Sequence, residues 1–374
     1  MAAGPHNDLT DVAGIRVGQH QRRGRGWLTG TTVVLTPRGT VGSVDVRGGG
    51  PSTRETDALA ATTLVETVDA VVLSGGSSYG LAAAHGVMEW LADRHVGYAV
   101  GLRPEEVVPI VPAACLFDLG AGGAFANRPD ASFGRAAAEA AGTRRIRQGT
   151  VGAGTGSHAG RLKGGVGSAS VVLPSGITVA GLVAVNSGGS VVDPHTGELY
   201  GARYLLPGEL PELRPPTRSA LAAARAAERG GERAGRPGGN TLLAIVASDA
   251  AIAKHECTRL AMAAHDGMAR AVRPIHQMTD GDVAFSLATG ARPLPEERVS
   301  PPPLLEPSAG PGPRPLSGRP GEPSGARIGG AATRPGQLNV LMAAAADVIT
   351  RAIVHAVVAA TSTPGMTSYT ERFL

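Results

Sequence analysis

Short runs of Val, Ile and Leu bounded by Gly, Pro, Asn or Asp predict strands at 31–35, 70–74, 178–186 and 242–248. Apolar positions three and four apart predict helices at 81–94, 136–141, 219–229, 250–272 and 338–360. Strands mixed with helices, with antiparallel pairs among the strands, point to a layered α/β architecture. The last helical window is the most hydrophobic part of the chain and long enough to cross a bilayer. Within it Asp347, Arg351 and His355 recur every four residues and set a polar stripe down one face. The pattern therefore reads as an amphipathic or core helix of a soluble protein, and no membrane partner is expected.

Two segments break the pattern. Residues 207–239 open with PGELPELRPP and close with ERGGERAGRPGG, which predicts a flexible surface connection leading straight into NTLLAIVASDA. Residues 291–337 contain PPPLLEP, GPGPRPL and GRPGEPSG, a composition that builds no core and predicts a disordered or polyproline-like excursion. Neither needs to divide the chain, because the strand before the first and the helix after the second suit a single domain.

Composition narrows the function classes. The 374 residues are 42% hydrophobic but only 3% aromatic, with 54 glycines, so Ala, Val and Leu must carry the packing. A net charge of +4 without a basic stripe interleaved with aromatics gives no nucleic-acid surface. Cys115 and Cys257 are too few for a disulfide framework or a metal cluster, and free buried thiols are expected. The ten histidines show no paired-ligand spacing, so neither a metal nor a cofactor is expected. The N-terminal MAAGPHNDLTDVAGIRVGQH lacks the basic-then-apolar pattern of a signal peptide, and a cytoplasmic protein is the simplest expectation.

Three motifs carry candidate chemistry. Gly76-Ser77-Ser78-Tyr79-Gly80 follows a strand and opens a helix, the context of a nucleophile elbow. On that reading Ser78 would be the nucleophile, with His265 or His276 as its base; a plain tight turn is the alternative. Gly152-Ala153-Gly154-Thr155-Gly156 lacks both the spacing and the downstream acid of a dinucleotide loop and reads as a turn. The third motif is Gly238-Gly239-Asn240-Thr241, where the charged connection stops at a small hydroxyl residue opening a buried strand. If the chain were cut before Thr241, its free α-amine, with an ordinary pKa of about 8, could serve as base for its own hydroxyl. An ordinary turn is again the alternative.

The chain resembles the DmpA-type self-processing peptidases: L-aminopeptidase/D-esterases, β-peptidyl aminopeptidases and 6-aminohexanoate-oligomer (nylon-oligomer) hydrolases. The resemblance runs almost end to end, through LTDVAGIRVGQH, VDVRGGGPSTRETD, AVVLSGGSSYGLAAAHGVM, LKGGVGSAS, VAVNSGGSVVDPHTGE, GGNTLLAIVASDA, DGDVAFSLATG and ADVITRAIVHAV. It implies a four-layer αββα sandwich made as a precursor and split into residues 1–240 and 241–374. The fragments would stay associated, as a homo-oligomer, commonly a tetramer of αβ units. It makes Asn240-Thr241 the scissile pair, Thr241 the nucleophile, and the Gly76–Gly80 segment a structural turn near the site. By the same resemblance Asn186 serves the oxyanion hole, Lys163 holds the processing geometry or tunes the amine, and Asp280 and Asp282 orient the nucleophile and its amine.

The sequence also departs from the family. Aminopeptidase members carry a Glu that grips the substrate's free amine; Ala113, Ala114 and Cys115 stand in that neighbourhood here. That departure, with Thr241, Lys163 and Asp282, tilts the resemblance toward the nylon-oligomer hydrolases. Some members place a tyrosine near the site, and the stretch PDASFGRAAA offers none. The expected activity is hydrolysis of amide bonds in small peptides or ω-amino-acid oligomers through an acyl-enzyme. Exopeptidase or esterase action, acyl transfer of the ornithine-acetyltransferase kind, a Ser78 hydrolase and a non-catalytic binding protein are the alternatives.

Overall fold

The computed structural model describes residues 1–211, 213–229, 239–295 and 333–374. Along these residues the strands are β1 (Arg16–Gly24), β2 (Trp27–Leu35), β3 (Val41–Val46), β4 (Thr53–Arg54), β5 (Ala70–Ser74), β6 (Tyr98–Ala99) and β7 (Val107–Val108). They continue with β8 (Ala113–Cys115), β9 (His158–Ala159), β10 (Leu162–Lys163), β11 (Gly165–Val172), β12 (Thr178–Asn186), β13 (Thr241–Ala250) and β14 (Val283–Arg292). The helices are α1 (Ala82–Ala92), α2 (Ala131–Glu139), α3 (Arg218–Arg229), α4 (Lys254–Ala271), α5 (Arg334–Val358) and α6 (Tyr369–Phe373).

Two five-stranded sheets form the centre. The first runs β11-β12-β13-β14-β3 and the second β1-β2-β5-β8-β4. Alternation along β13 shows how they stack, because successive side chains of a strand point to opposite faces. Leu242, Ala244 and Val246 pack with residues of α4 and α5, including Leu260, Ile349 and Ile353. Leu243, Ile245 and Ala247 pack instead with Val34, Val71 and Leu73 of the second sheet. The other face of that sheet, including Val33, Leu35, Ala70 and Val72, meets Ala83, Val87 and Trp90 of α1 and Ala137 and Ala138 of α2. The order is α–β–β–α, with the core divided among three interfaces. Both sheets are covered on both faces, which explains why β13 reads as a continuous apolar run.

Strands β5 and β12 match the sequence pattern at both ends, and β13 is longer by one residue at its start and two at its end. There Asp249 accepts the Thr178 N–H and pairs with Arg292, which keeps the chain in the sheet to Ala250 and delays α4 to Lys254. Asp130 caps Ser132 and starts α2 at Ala131, ahead of the predicted 136. Strands β1, β3, β11 and β14 were not predicted. In β11, GVGSASVV offers small residues where α5 lies close, and small residues carry a weak strand signal.

Both irregular segments are more ordered at their edges than their composition suggests. The segment 207–239 contains α3, and its Glu209 is buried, accepting hydrogen bonds from Arg351 at 2.6–2.9 Å and from Asn7 at 2.9 Å. Its residues 212 and 230–238 lie outside the described residues. In 291–337, β14 runs on to Arg292 and α5 starts at Arg334, capped by Thr333, while residues 296–332 lie outside the described residues.

Helix α5 is a core helix whose polar stripe reaches water only at Asp347. Asp347 pairs with Arg270, and Arg351 and His355 turn inward to Glu209. Although burial alone would raise it, hydrogen bonds from His355 and Arg351 and the arginine's charge hold the Glu209 carboxyl at about 2.

Candidate active site

Three chain segments converge because of the way β13 is paired. Strand β12 runs antiparallel to it and ends with Asn186 opposite Thr241. Strand β14 runs parallel to it, so the loop entering β14 arrives at the same end and bridges Asp280 to Asn240. The sheet thus brings Asn186, Asn240, Thr241, Asp280 and Asp282 together at the start of a central strand.

Thr241 is 5% exposed. Its Oγ1 lies 2.5 Å from the carbonyl oxygen of Asn240, which also accepts the Gly281 N–H at 2.9 Å. A Cβ on residue 281 would stand 2.7 Å from Thr241 Oγ1 and 2.9 Å from the Gly50 carbonyl oxygen, so only glycine fits between the two aspartates. The loop is locked by the glycine run before it: Gly50 donates to Asp280 O at 2.8 Å and Gly48 to Asp282 O at 3.2 Å.

Asn186 is fully buried, and its orientation is set by the backbone. Its Oδ1 accepts the His158 N–H at 3.1 Å, which aims Nδ2 at the carbonyls of Gly239 (2.9 Å) and Phe117 (3.2 Å). It therefore holds the carbonyl one residue upstream of the Asn240–Thr241 bond. The amide donor on the Asn240 carbonyl is Gly281. The Phe117 ring is the aromatic group at this place: a Cβ on Gly239 would lie 2.7 Å from it. Phe133, the aromatic residue of PDASFGRAAA, is buried in α2 and stacks on Trp27.

Asp282 is bound on both oxygens. Oδ1 accepts the Leu242 N–H at 2.7 Å; Oδ2 accepts the His276 N–H at 3.1 Å and faces His276 Nδ1 at 2.8 Å. Asp280 caps Gln277 N at 2.9 Å; burial, then Gln277's opposing hydrogen bond, then the like charge of Asp282 leave its pKa raised. Lys163 is buried and spends its three N–H bonds on the carbonyls of Gly154, Ser157 and Gly164, at 2.7–2.9 Å. It straps the loop that carries His158 and makes no hydrogen bond to Thr241. Burial, assisted by Arg23, pulls its pKa down to about 7, against the attraction of Asp118. Asp118, whose own pKa burial pushes up to about 6, accepts the Gly76 N–H at 2.7 Å.

The Gly76–Gly80 segment is a strand-to-helix turn, with φ of +86° at Gly76 and +52° at Ser77. Ser78 is exposed, and neither candidate histidine serves it. His265 Nε2 lies 3.0 Å from Asp45 O, and His276 is held by Asp282, both at the first sheet. The elbow reading lacks its base.

The sequence profile of peptidase family S58 matches residues 7–371. The chain belongs to peptidase family S58. An uncharacterized aminopeptidase of Mycobacterium bovis is 49% identical over 297 residues, covering 78% of this chain and 84% of that protein. A 6-aminohexanoate-oligomer endohydrolase of Kocuria sp. is 28% identical over 305 residues, covering 76% of each. The L-aminopeptidase D-Ala-esterase/amidase of Ochrobactrum anthropi, described as a variant of the Ntn hydrolase fold, aligns with a TM-score of 0.64 at 20% identity, covering 100% of this chain and 91% of that one. This S58 chain is accordingly a peptide- or amide-bond hydrolase with the DmpA-type sandwich. Sequence reasoning about this S58 site passed over His158, Phe117 and Asp118, and assigned His276 to Ser78 instead of Asp282. Each is a single residue without a spacing partner, and only the folded chain brings it to the cluster.

Proposed function

We propose that this protein cuts its own Asn240–Thr241 bond and then hydrolyses amide bonds with Thr241 as N-terminal nucleophile. The observation that carries the reading is the Asn240 carbonyl, held between Thr241 Oγ1 and the Gly281 N–H at the head of a buried strand. Thr241 Oγ attacks that carbonyl carbon, and the negative charge gathers on an oxygen already receiving the Gly281 hydrogen bond. The C–N bond then breaks, the proton lost by Oγ ends on the departing amine, and Asn240 becomes an ester on Thr241. Water opens the ester, leaving a carboxylate on Asn240 and a free hydroxyl and amine on Thr241. In turnover the amine takes the Oγ proton, an acyl-enzyme forms, and water releases the acid.

Asp282 supports this by fixing the Leu242 N–H beside the new terminus, and Asp280 adds negative charge near the ammonium. Asn186, freed when Gly239 withdraws, becomes a donor for substrate. Because that donor grips the carbonyl upstream of the cut residue, the site has a place for an acyl chain that continues past it. This favours endo-type cleavage of short peptides or ω-amino-acid oligomers. The name of the Mycobacterium bovis relative favours a second reading, aminopeptidase action. Comparing free and N-acetylated forms of one peptide amide separates the two.

Denaturing electrophoresis with N-terminal sequencing tests the reading directly. Two fragments are expected, the smaller beginning at Thr241. A single full-length band that nevertheless turns over substrate would overturn it.

A further inference from the structure

The side chain of Asn240 is itself gripped. His158 Nε2 lies 3.2 Å from Asn240 Oδ1. A Cβ on Gly188 would stand 2.3 Å from Asn240 Nδ2 and 2.7 Å from its Cγ, so the amide lies flat against that backbone. Asp280 is bridged to Asn240 through the backbone, and its buried Oδ1 has no hydrogen-bond partner and can accept one. A carboxamide presents one acceptor oxygen and one donor nitrogen on a planar group. His158 and Asp280 offer the matching donor and acceptor, and the glycine floor fits the plane.

The grip is rigid. His158 donates its backbone N–H to Asn186, and the carbonyls beside it are strapped by Lys163. Its ring is buried, which lowers its pKa, with Lys163 adding to the effect against the Asn240 hydrogen bond. A neutral imidazole carries a single N–H, and placed on Nε2 that proton points at the amide oxygen.

We propose that His158, Gly188 and Asp280 form the acyl-side specificity pocket of the mature enzyme, and that it selects substrates whose residue at the cut bond carries a carboxamide on its β-carbon. The inference rests on Thr241 being the nucleophile. Once Asn240 has left, each new acyl residue must put its carbonyl where the Asn240 carbonyl was, and its side chain then enters the same pocket. Leucine has nearly the shape of asparagine but leaves the His158 N–H unpaired. Aspartate sets a second carboxylate against Asp280. A pocket built on hydrogen bonds discriminates strongly against isosteres that lack them.

The test uses the full-length protein and three p-nitroanilides, Gly-Asn, Gly-Leu and Gly-Asp, whose glycine stands in for Gly239. Electrophoresis and N-terminal sequencing of the same sample report the cut. The expected result is a chain cut before Thr241, with kcat/KM for Gly-Asn about tenfold or more above Gly-Leu, and Gly-Asp lowest. In His158→Ala the preference for Asn over Leu should collapse, and in His158→Gln, which keeps an N–H in reach, part of it should return. If His158→Ala fails to mature, the wild-type panel still decides. A cut, Thr241-dependent enzyme that takes Gly-Leu as well as Gly-Asn overturns the pocket and leaves the proposed function standing. A chain that stays whole and cleaves none of the three overturns both.

Discussion

Two turns in this molecule present a hydroxyl at the end of a buried strand, and only one is met by converging polar groups. At the end of β5, Gly76–Gly80 carries the sequence of a nucleophile elbow, yet Ser78 faces solvent, and His265 and His276 are held elsewhere. At the head of β13, Thr241 follows no such motif, yet it is buried among a carbonyl, a backbone donor, two carboxylates and a buried amide. The difference lies in topology. The parallel pairing of β13 with β14 brings a second loop to the same end of the sheet, whereas the turn after β5 meets a single buried carboxylate, Asp118. A nucleophile is recognised by what converges on it, and a short motif does not report convergence.

The comparison breaks most sharply at Thr241. Thr241→Ala should leave the chain whole on a denaturing gel and cut amidase activity by about 10⁴-fold or more, since the nucleophile and its base vanish together. Asn186→Ala should lower kcat/KM by about tenfold, the scale of one lost hydrogen bond to the acyl chain upstream of the cut, read in steady-state assays. Glu209→Ala acts at a distance. It leaves Arg351 buried and unpaired, and should cost about 3–5 kcal/mol in denaturant unfolding. The wild-type Glu209 carboxyl sits at about 2 against an ordinary 4.5. Its contribution is therefore complete above pH 4.5 and fades as the pH falls toward 2, and Glu209→Gln should approach wild type across that window.

The turn after β5 gives the smaller effects. Asp118 has its folded pKa raised from 3.8 to about 6, so its burial opposes folding progressively between those values and fully above them. Asp118→Asn keeps the acceptor for Gly76 N–H; relative to wild type it should gain about 2 kcal/mol between pH 4 and pH 7. Ser78→Ala should change activity by less than about twofold and stability by less than about 0.5 kcal/mol. A large loss there would restore the elbow reading.

The sequence pattern reached the centre of the fold better than its flanks. Strands β5 and β12 and most of β13 stand out because burial on both faces makes them uniformly apolar. Strands β11 and β14 escape because Gly, Ser and Thr interrupt them, and their place is fixed by α5 and by β13. Of the site, resemblance supplied Thr241, Asn186, Asp280 and Asp282, and all four meet in the fold. It also supplied Lys163, whose strapping of the His158 loop could be read only from the three carbonyls it binds. His158 meeting Asn240, or Phe117 meeting Gly239, leaves no local trace in the chain. Likewise Glu209 sits in a stretch whose prolines and charges suggest surface, yet Arg351, far along the chain, buries it.

The parallel partner of β13 has a consequence for biosynthesis. Every group that closes on the Asn240–Thr241 bond from the β14 side is translated after it, Asp282 about forty residues later. At ~5–20 residues per second, that alone delays assembly of the site by about 2–8 s after the bond is made. A nascent chain, or one truncated before β14, therefore lacks the means to cut itself. On the proposed self-cleavage, the order of translation would act as a clock that postpones severing the chain until β13 and β14 are paired.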